Sequence, residues 1–208
     1  MSVRVEHAVT SGTFSLDGGT WEVDNNVWLL GDEHECVVFD APHDDVAIAE
    51  LIDARRVVAI LLTHAHDDHI RAARELSERV GAPIWLHPDD RVLWDLVYDD
   101  GPDAEVADGQ LIDVAGVQVQ VLHTPGHSPG AVCYHVPALG VLFSGDTLFQ
   151  GGPGATGRSY SSFETIIESI RTKLFALADE TVVHTGHGDD TTIGAERPHL
   201  EEWIARGH

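Results

Sequence analysis

The chain has 208 residues, of which 43% are hydrophobic and 23% charged, a balance that fits a soluble globular protein and excludes wholesale disorder. Twelve Lys and Arg against 35 Asp and Glu leave a formal net charge of −23, a field that repels phosphate backbones and excludes a nucleic-acid partner. The length predicts a single domain over residues 1–208. No apolar run approaches the ~20 residues of a membrane span. The first ten residues lack the basic and apolar regions of a signal peptide, so a cytoplasmic location is expected. Cys36 and Cys133 stand apart in apolar stretches and read as buried free thiols.

In chain order, Val3 to Val9 and Trp21 to Leu30 have strand composition, with a turn at Asp17-Gly18-Gly19 between them. Cys36 to Asp40 is a short strand, Val46 to Ile52 a short helix and Val57 to Thr63 a buried strand. Ile70, Ala73, Leu76 and Val80 fall at helical spacing, and Gly81-Ala82-Pro83 stops that helix. Pro83 to Leu86 reads as a strand and Pro88 to Trp94 as a short helix. Four strands follow: Gln110 to Val114, Val117 to His123, Ala131 to Val136 and Val141 to Ser144. After a glycine-rich loop, Gln150 to Gly157, the run Ser161-Ser162-Phe163-Glu164 predicts a capped helix ending near Leu177. Thr181 to Thr185 is a last strand and Ala195 to Ala205 a last helix. Helices interleaved with two strand-rich halves predict an α/β sandwich. The pairs Asp89-Asp90, Asp99-Asp100 and Asp189-Asp190 read as solvated loop charges.

Fourteen histidines are the compositional oddity, and their placement carries the chemistry. Thr63-His64-Ala65-His66-Asp67-Asp68-His69 follows a strand directly. His64 and His66 can point the same way in extended chain, while Asp68 and His69 open the next helix. Imidazole and carboxylate are ligands for zinc and similar divalent ions. His127, Asp146 and His187 each stand at a strand end or in a tight Gly/Pro turn, where site residues collect. Together these side chains supply enough ligands for two metals. His123 and His184 read as strand-end packing residues, and His43 and His87 as structural turn residues.

On these motifs, from about Thr20 to His187, the sequence resembles the metallo-β-lactamase superfamily, and within it the short relatives of glyoxalase II. The resemblance implies a four-layer αβ/βα sandwich with two divalent ions between the sheets, zinc first, with iron or manganese as alternatives. It assigns His64, His66 and His127 to one ion, Asp68, His69 and His187 to the other, and Asp146 as the bridge. Asp40 is then an outer support for a ligand histidine. Asp68 has the further catalytic role of orienting the nucleophile.

Two such ions hold a water as hydroxide near neutral pH, poised to attack a carbonyl that a metal polarises. No general acid stands out beside the ligands, and a thiolate leaving group, with a pKa near 8.5, needs little help. A small-molecule thioester is therefore the expected substrate, with other esters next. The short stretch after His187 departs from glyoxalase II, whose helical domain supplies glutathione contacts. Gly157-Arg158 matches the family's Gly-Arg, while Ser159-Tyr160 replaces its usual Thr-Asp. Arg158 is a candidate for a substrate carboxylate and Tyr160 a candidate pocket residue. The alternatives are a mononuclear iron persulfide dioxygenase using His64, His127 and Asp146, and a lactone hydrolase. The lactonase pattern has a tyrosine where Phe149 stands. Nothing in the sequence fixes the oligomeric state.

Overall fold

The structure is a computed structural model describing residues 2–207. β1 (Arg4–Leu16) and β2 (Gly19–Gly31) form a long hairpin, followed by β3 (Glu35–Phe39). Next come α1 (Asp45–Ile52), β4 (Arg56–Leu61), α2 (Asp67–Ile70), α3 (Ala73–Val80), β5 (Ile84–Leu86), α4 (Arg91–Trp94) and β6 (Ala104–Glu105). These six strands make one sheet in sequence order. The second half supplies β7 (Leu111–Val114), β8 (Val117–His123), β9 (Val132–Val136) and β10 (Val141–Gly145). A small ribbon of β11 (Leu148–Phe149) and β12 (Gly152–Pro153) precedes α5 (Phe163–Ser169). β13 (Val182–Thr185), β14 (Thr191–Thr192), α6 (Ile193–Glu196) and α7 (Leu200–Arg206) complete the chain. The second sheet has the order β14-β13-β10-β9-β8-β7.

Strand alternation builds three apolar layers, because successive side chains point to opposite faces. Cys36 and Val38 of β3 face α1, α3 and α4, packing with Ile48, Leu76 and Trp94. Val37 and Phe39 face the other sheet and meet Tyr134 and Phe143. On the far side, Cys133 and Leu142 pack under Ile166, Ile170 and Trp203. Helix, sheet, sheet, helix is the four-layer α/β architecture the sequence implies. Both cysteines are buried and free, in different layers. Among the described residues no helix is long and apolar enough to cross a membrane.

Several elements depart from the sequence reading. β1 runs to Leu16 instead of Val9, paired with β2 along its whole length. Its outer half is polar and is held by the ladder and by an Asp17-Gly18 turn with positive φ at both positions, the arrangement that suits the twist of a hairpin. The helix expected from Ile70 breaks between α2 and α3. Ala72 N donates to Ala41 O (3.0 Å) and Ala41 N to His69 O (2.9 Å), so the strand-end segment ties down this part of the helical path. Ser162, not Ser161, caps α5 by accepting from Thr165 N (3.3 Å). That helix widens into a π-type turn at Ile170–Leu174. Pro198 interrupts the last helix, leaving α6 and α7 as separate pieces.

β3 and β4 run parallel, as do β10 and β13, and β8 joins them through antiparallel β9. The carboxyl ends of β3, β4, β8, β10 and β13 carry the candidate site residues or lead into them. Val132 N to Thr63 O (2.8 Å), Tyr134 Oη to Leu62 O (2.8 Å) and Asn26 N to Gly186 O (2.8 Å) stitch the sheets together at that end. Phe143 is fully buried and stacks on Phe39 at 3.9 Å between the sheets. Phe143→Ala is expected to cost about 3–5 kcal/mol. Urea unfolding checks this, and a loss below about 1 kcal/mol would contradict the assigned inter-sheet core.

Candidate metal centre

Asp40 organises the turn that follows β4. Its Oδ1 accepts from Thr63 N (2.7 Å), and its Oδ2 from Thr63 Oγ1 (2.8 Å) and His69 Nδ1 (2.8 Å). Both ends of the Thr63–His69 turn are thus anchored to one strand-end carboxylate. These bonds also fix tautomers. Thr63 Oγ1 spends its proton on Asp40, so it accepts from His64 Nδ1 (3.1 Å), and His64 Nε2 is left with its lone pair. His127 Nδ1 donates to Ala155 O (2.8 Å) and His187 Nδ1 to Asp24 O (2.7 Å), which aims both Nε2 atoms inward.

Two groups of donor atoms result. His64 Nε2 lies 3.1 Å from His66 Nδ1, which lies 2.9 Å from His127 Nε2, with the rings nearly perpendicular. In the second group, His69 Nε2 and His187 Nε2 are 3.2 Å apart, and Asp68 Oδ2 is 3.7 and 3.4 Å from them. Asp146 lies between the groups. Its Oδ2 is 3.5 Å from His127 Nε2 and 3.4 Å from His187 Nε2, and its Oδ1 is 3.3 Å from His69 Nε2.

Hydrogen bonding alone does not satisfy this crowd. In the first group the His64 and His127 lone pairs face His66, which has at most one proton to give at Nδ1. His66 Nε2 and Asp146 Oδ1 are buried without a hydrogen-bond partner among the described residues. Converging imidazole nitrogens beside a shared carboxylate fit divalent cations.

The proton affinities split the same way. Burial holds the His64 imidazole well below its ordinary pKa, and burial with His127 beside it drives His66 down to about 3. These rings are neutral, as ligands must be. Burial opposes charge on His69 and His187 too, but neighbouring carboxylates, Asp146 foremost, win. They raise His69 well above 6.5 and His187 to about 10. Asp68 falls to about 2 despite its burial, held there chiefly by His69 and by hydrogen bonds from His187 and Asn25.

Two glycines leave room for this packing. A Cβ on Gly186 would stand 2.2 Å from Asp146 Oδ1 and 2.9 Å from His69 Cε1. Gly145 has φ +49°, and its Cβ would meet Thr63 Oγ1 at 2.4 Å.

The sequence reading placed all seven donors and Asp40 at one locus, and the structure brings them together. Other residues at the site escaped it. Asn26 holds the His187 loop through Nδ2 to Thr185 O (3.0 Å) and Gly188 O (2.9 Å). Asn25 Nδ2 donates to Asp68 Oδ2 (3.0 Å). Asp90 was read as a solvated charge and is 0% exposed. It accepts from Ala65 N (2.7 Å), Ser128 Oγ (2.8 Å) and Gly130 N, joining the His64–His66 turn to the His127 loop. Its partners lie far away in sequence, so spacing gave no signal.

Above the donors lies a cavity of about 270 Å³, walled by Phe14, Trp21, Val23 and Arg158. The Arg158 guanidinium sits 3.9 Å over the Trp21 ring, a cation–π contact, and Asp17 Oδ2 accepts from Ser159 N (3.0 Å). Tyr160 is exposed, with φ +69°, and does not line this cavity. A separate cluster, His87, Asp89 and His123, has poor ligand geometry. Its two rings stack in parallel at 4.0 Å, so their in-plane lone pairs do not converge. His184 packs on Trp28 at 4.3 Å and bonds Asp190.

Asp90→Asn keeps the shape but aims an amide N–H₂ at backbone or hydroxyl donors. It is expected to cost about 1–3 kcal/mol and to lower the metal affinity of the three-histidine group. Urea unfolding with metal titration measures both, and unchanged values would contradict the bridging role.

Comparison with known proteins agrees with the geometry. A model of the metallo-beta-lactamase superfamily matches residues 20–187. The chain is 34% identical to the hydroxyacylglutathione hydrolase GloC of Haemophilus influenzae over 185 residues, covering 81% of this chain and 87% of that protein. It is 33% identical to the probable metallo-hydrolase YqgX of Bacillus subtilis over 187 residues, covering 83% and 89%. Among solved structures, the BLEG-1 B3 metallo-beta-lactamase superposes with a TM-score of 0.78 at 31% identity, covering 92% of this chain and 98% of that one. TTHA1623 in a di-iron-bound form gives 0.75 at 33% identity, covering 84% and 93%. ETHE1 from Myxococcus xanthus gives 0.72 at 28% identity, covering 87% and 84%. On this match, and on the four-layer fold with its His/Asp clusters, the chain belongs to the metallo-beta-lactamase superfamily.

Proposed function

We propose that the chain is a cytoplasmic, metal-dependent thioester hydrolase with two divalent ions, zinc by preference, and a small-molecule substrate. His64, His66 and His127 would hold one ion, Asp68, His69 and His187 the other, and Asp146 both. The observation that carries this reading is Asp146 Oδ2, nearly equidistant from His127 of one group and His187 of the other. Likeness to a hydroxyacylglutathione hydrolase supports the thioester, and a di-iron neighbour keeps iron in view as the metal.

Bound divalent ions supply Lewis acidity, lowering the pKa of water to about 7 and polarising a carbonyl. The chain's own residues do the rest. Asp68 stays ionised at neutral pH and accepts a hydrogen bond from the attacking water, which orients it. Phe14 and Trp21 line the cavity with apolar surface, which strengthens the charge interactions beside them. The water oxygen bonds to the acyl carbon and the carbon–sulfur bond breaks with its electron pair going to sulfur; the water's protons pass to solvent, and the sulfur leaves as thiolate with no dedicated acid. Arg158 supplies the one Lys or Arg side chain among the described lining residues and suits an anionic substrate group.

The dioxygenase alternative uses one metal. The complete second group, Asp68, His69 and His187, favours two.

Asp146→Ala is expected to remove bound metal and to lower thioester turnover more than about a hundredfold, Lewis-acid stabilisation being worth several kcal/mol. Elemental analysis and a thioester and lactone panel on one preparation test this. Wild-type rates in the variant would reject the centre, and one iron per chain with oxygen uptake would establish the dioxygenase.

Metal uptake also has a predicted proton count. His69 and His187 are protonated in the metal-free fold at pH 7, with His187 at about 10. Both must lose protons to bind metal, so uptake releases protons and affinity rises with pH up to about 10. In the metal-free protein these raised values add stability that is full below pH 6.5 and is lost as pH climbs through about 10. His66, depressed to about 3, acts oppositely and costs stability as pH falls from 6.5 toward 3. Calorimetric metal titration in buffers of different ionisation enthalpy reads the release. An identical apparent enthalpy in each buffer would refute it.

A further inference from the structure

His43 follows Pro42 in the segment after β3 and touches none of the seven donors in the contacts described above. Its ring nevertheless connects to them through one residue. Asn25 Nδ2 lies 3.0 Å from Asp68 Oδ2 and 3.4 Å from His187 Nε2. An ionised carboxylate only accepts, so the amide must present its NH₂ to Asp68 and its carbonyl oxygen away from it. That oxygen, Oδ1, lies 2.8 Å from His43 Nε2. It too only accepts, so Nε2 carries the ring proton and Nδ1 is bare. The structure agrees, for His43 Nδ1 is buried with no hydrogen-bond partner among the described residues. Room for the ring comes from β1, where a Cβ on Gly12 would stand 2.2 Å from Nδ1.

We propose that His43 and Asn25 are positioning residues for Asp68. His43 Nε2–H fixes the orientation of the fully buried Asn25 amide, and that amide fixes Asp68 Oδ2 against His69 and His187. This inference rests on the reading of Asp68, His69 and His187 as a metal-binding group. An amide is nearly symmetric in shape, and only its partners decide which end faces where. Without His43 the Asn25 amide gains a second orientation, with Oδ1 against the Asp68 carboxylate, where oxygen meets oxygen. Asp68 would then lose its donor and the carboxylate would be free to turn. The segment from Asp40 to His43 thus supports two adjacent donors by different routes. Asp40 bonds His69 directly, and His43 reaches Asp68 through β2.

The test compares wild type with His43→Leu, which removes the donor, and His43→Gln, whose side-chain amide can restore it. Each metal-free protein is titrated with zinc by calorimetry, and with cobalt while the visible absorption bands are followed. Thermal unfolding of each variant is measured in parallel. In His43→Leu one zinc equivalent is expected to bind about ten- to a hundredfold more weakly, the usual effect of losing an outer partner. The other equivalent should keep its affinity, and His43→Gln should recover most of the loss. A general structural defect would weaken both equivalents and lower the unfolding temperature together. Two equivalents bound with wild-type affinity in His43→Leu would overturn the positioning role and leave the metal-centre reading intact. Failure of the wild type to bind two equivalents would instead overturn the underlying reading.

Discussion

Everything at the carboxyl ends of the two sheets is arranged around donor atoms that cannot satisfy one another. Three imidazole nitrogens meet on one side and two imidazoles with a carboxylate on the other, with Asp146 shared between them. Such a group is unstable without positive charge at its centre, because lone pairs at hydrogen-bond distance repel unless a proton or cation lies between them. The metal-free protein answers with protons on His69 and His187, where three carboxylates hold them. At His64 and His66 burial excludes the proton. The two halves therefore differ before any ion arrives. One holds two imidazoles, His64 and His66, kept neutral and ready to accept a cation, and the other is already filled by protons that a cation must displace.

Holding those atoms in place falls to residues one step out, each of which joins segments distant in sequence. Asp40 ties β3 to the turn after β4, and Asp90 ties that turn to the His127 loop. Asn26 ties β2 to the loop of His187. None of these bonds is an exposed ion pair of the kind that contributes little. Each closes inside the protein, where breaking it leaves a buried group without a partner. The sandwich architecture makes this possible. Five strand ends converge at one edge, so short loops from both sheets meet without long excursions.

The donors were legible because their signal is local. His64, His66, Asp68 and His69 fall within six consecutive residues just after a strand, His127 sits in a Gly/Pro turn, and Asp146 and His187 each follow an apolar run. Strand positions were legible for the same reason, since β3 and β10 are short continuous apolar runs and β8 alternates apolar with polar residues. What escaped is what depends on pairing across the fold. Asp90 sits beside exposed Asp89 in the same acidic pair, and only its distant partners distinguish it. Asn25 and His43 look like ordinary strand and turn residues until β2 is laid beside the segment after β3. Ser161 resembled a cap, but its hydroxyl accepts from Gly157 N and Arg158 N and so fixes the loop that carries Arg158. The outer half of β1 lacked apolar alternation because the hydrogen-bond ladder, not burial, keeps it extended.

That outer half is also what gives the set of donors an apolar wall. Phe14 and Trp21 are directly opposite in the β1–β2 register, with ring centroids 5.8 Å apart, and Phe14 lies 5.2 Å from His66. A two-residue turn at Asp17-Gly18 sets that register. Side chains alternate along a strand, so a slip of one residue would carry either aromatic to the opposite face. The same turn supplies the Asp17 carboxylate that accepts from Ser159 N, next to the arginine lying over Trp21. A hairpin with little core of its own is thereby fixed near its tip, by one hydrogen bond and by cation–π contacts of Arg158 with both Trp21 and Phe14, to the loop on the far side of the cavity. The wall's position depends on turn chemistry rather than on burial, which places an apolar surface over the polar centre at the edge of a strongly acidic protein.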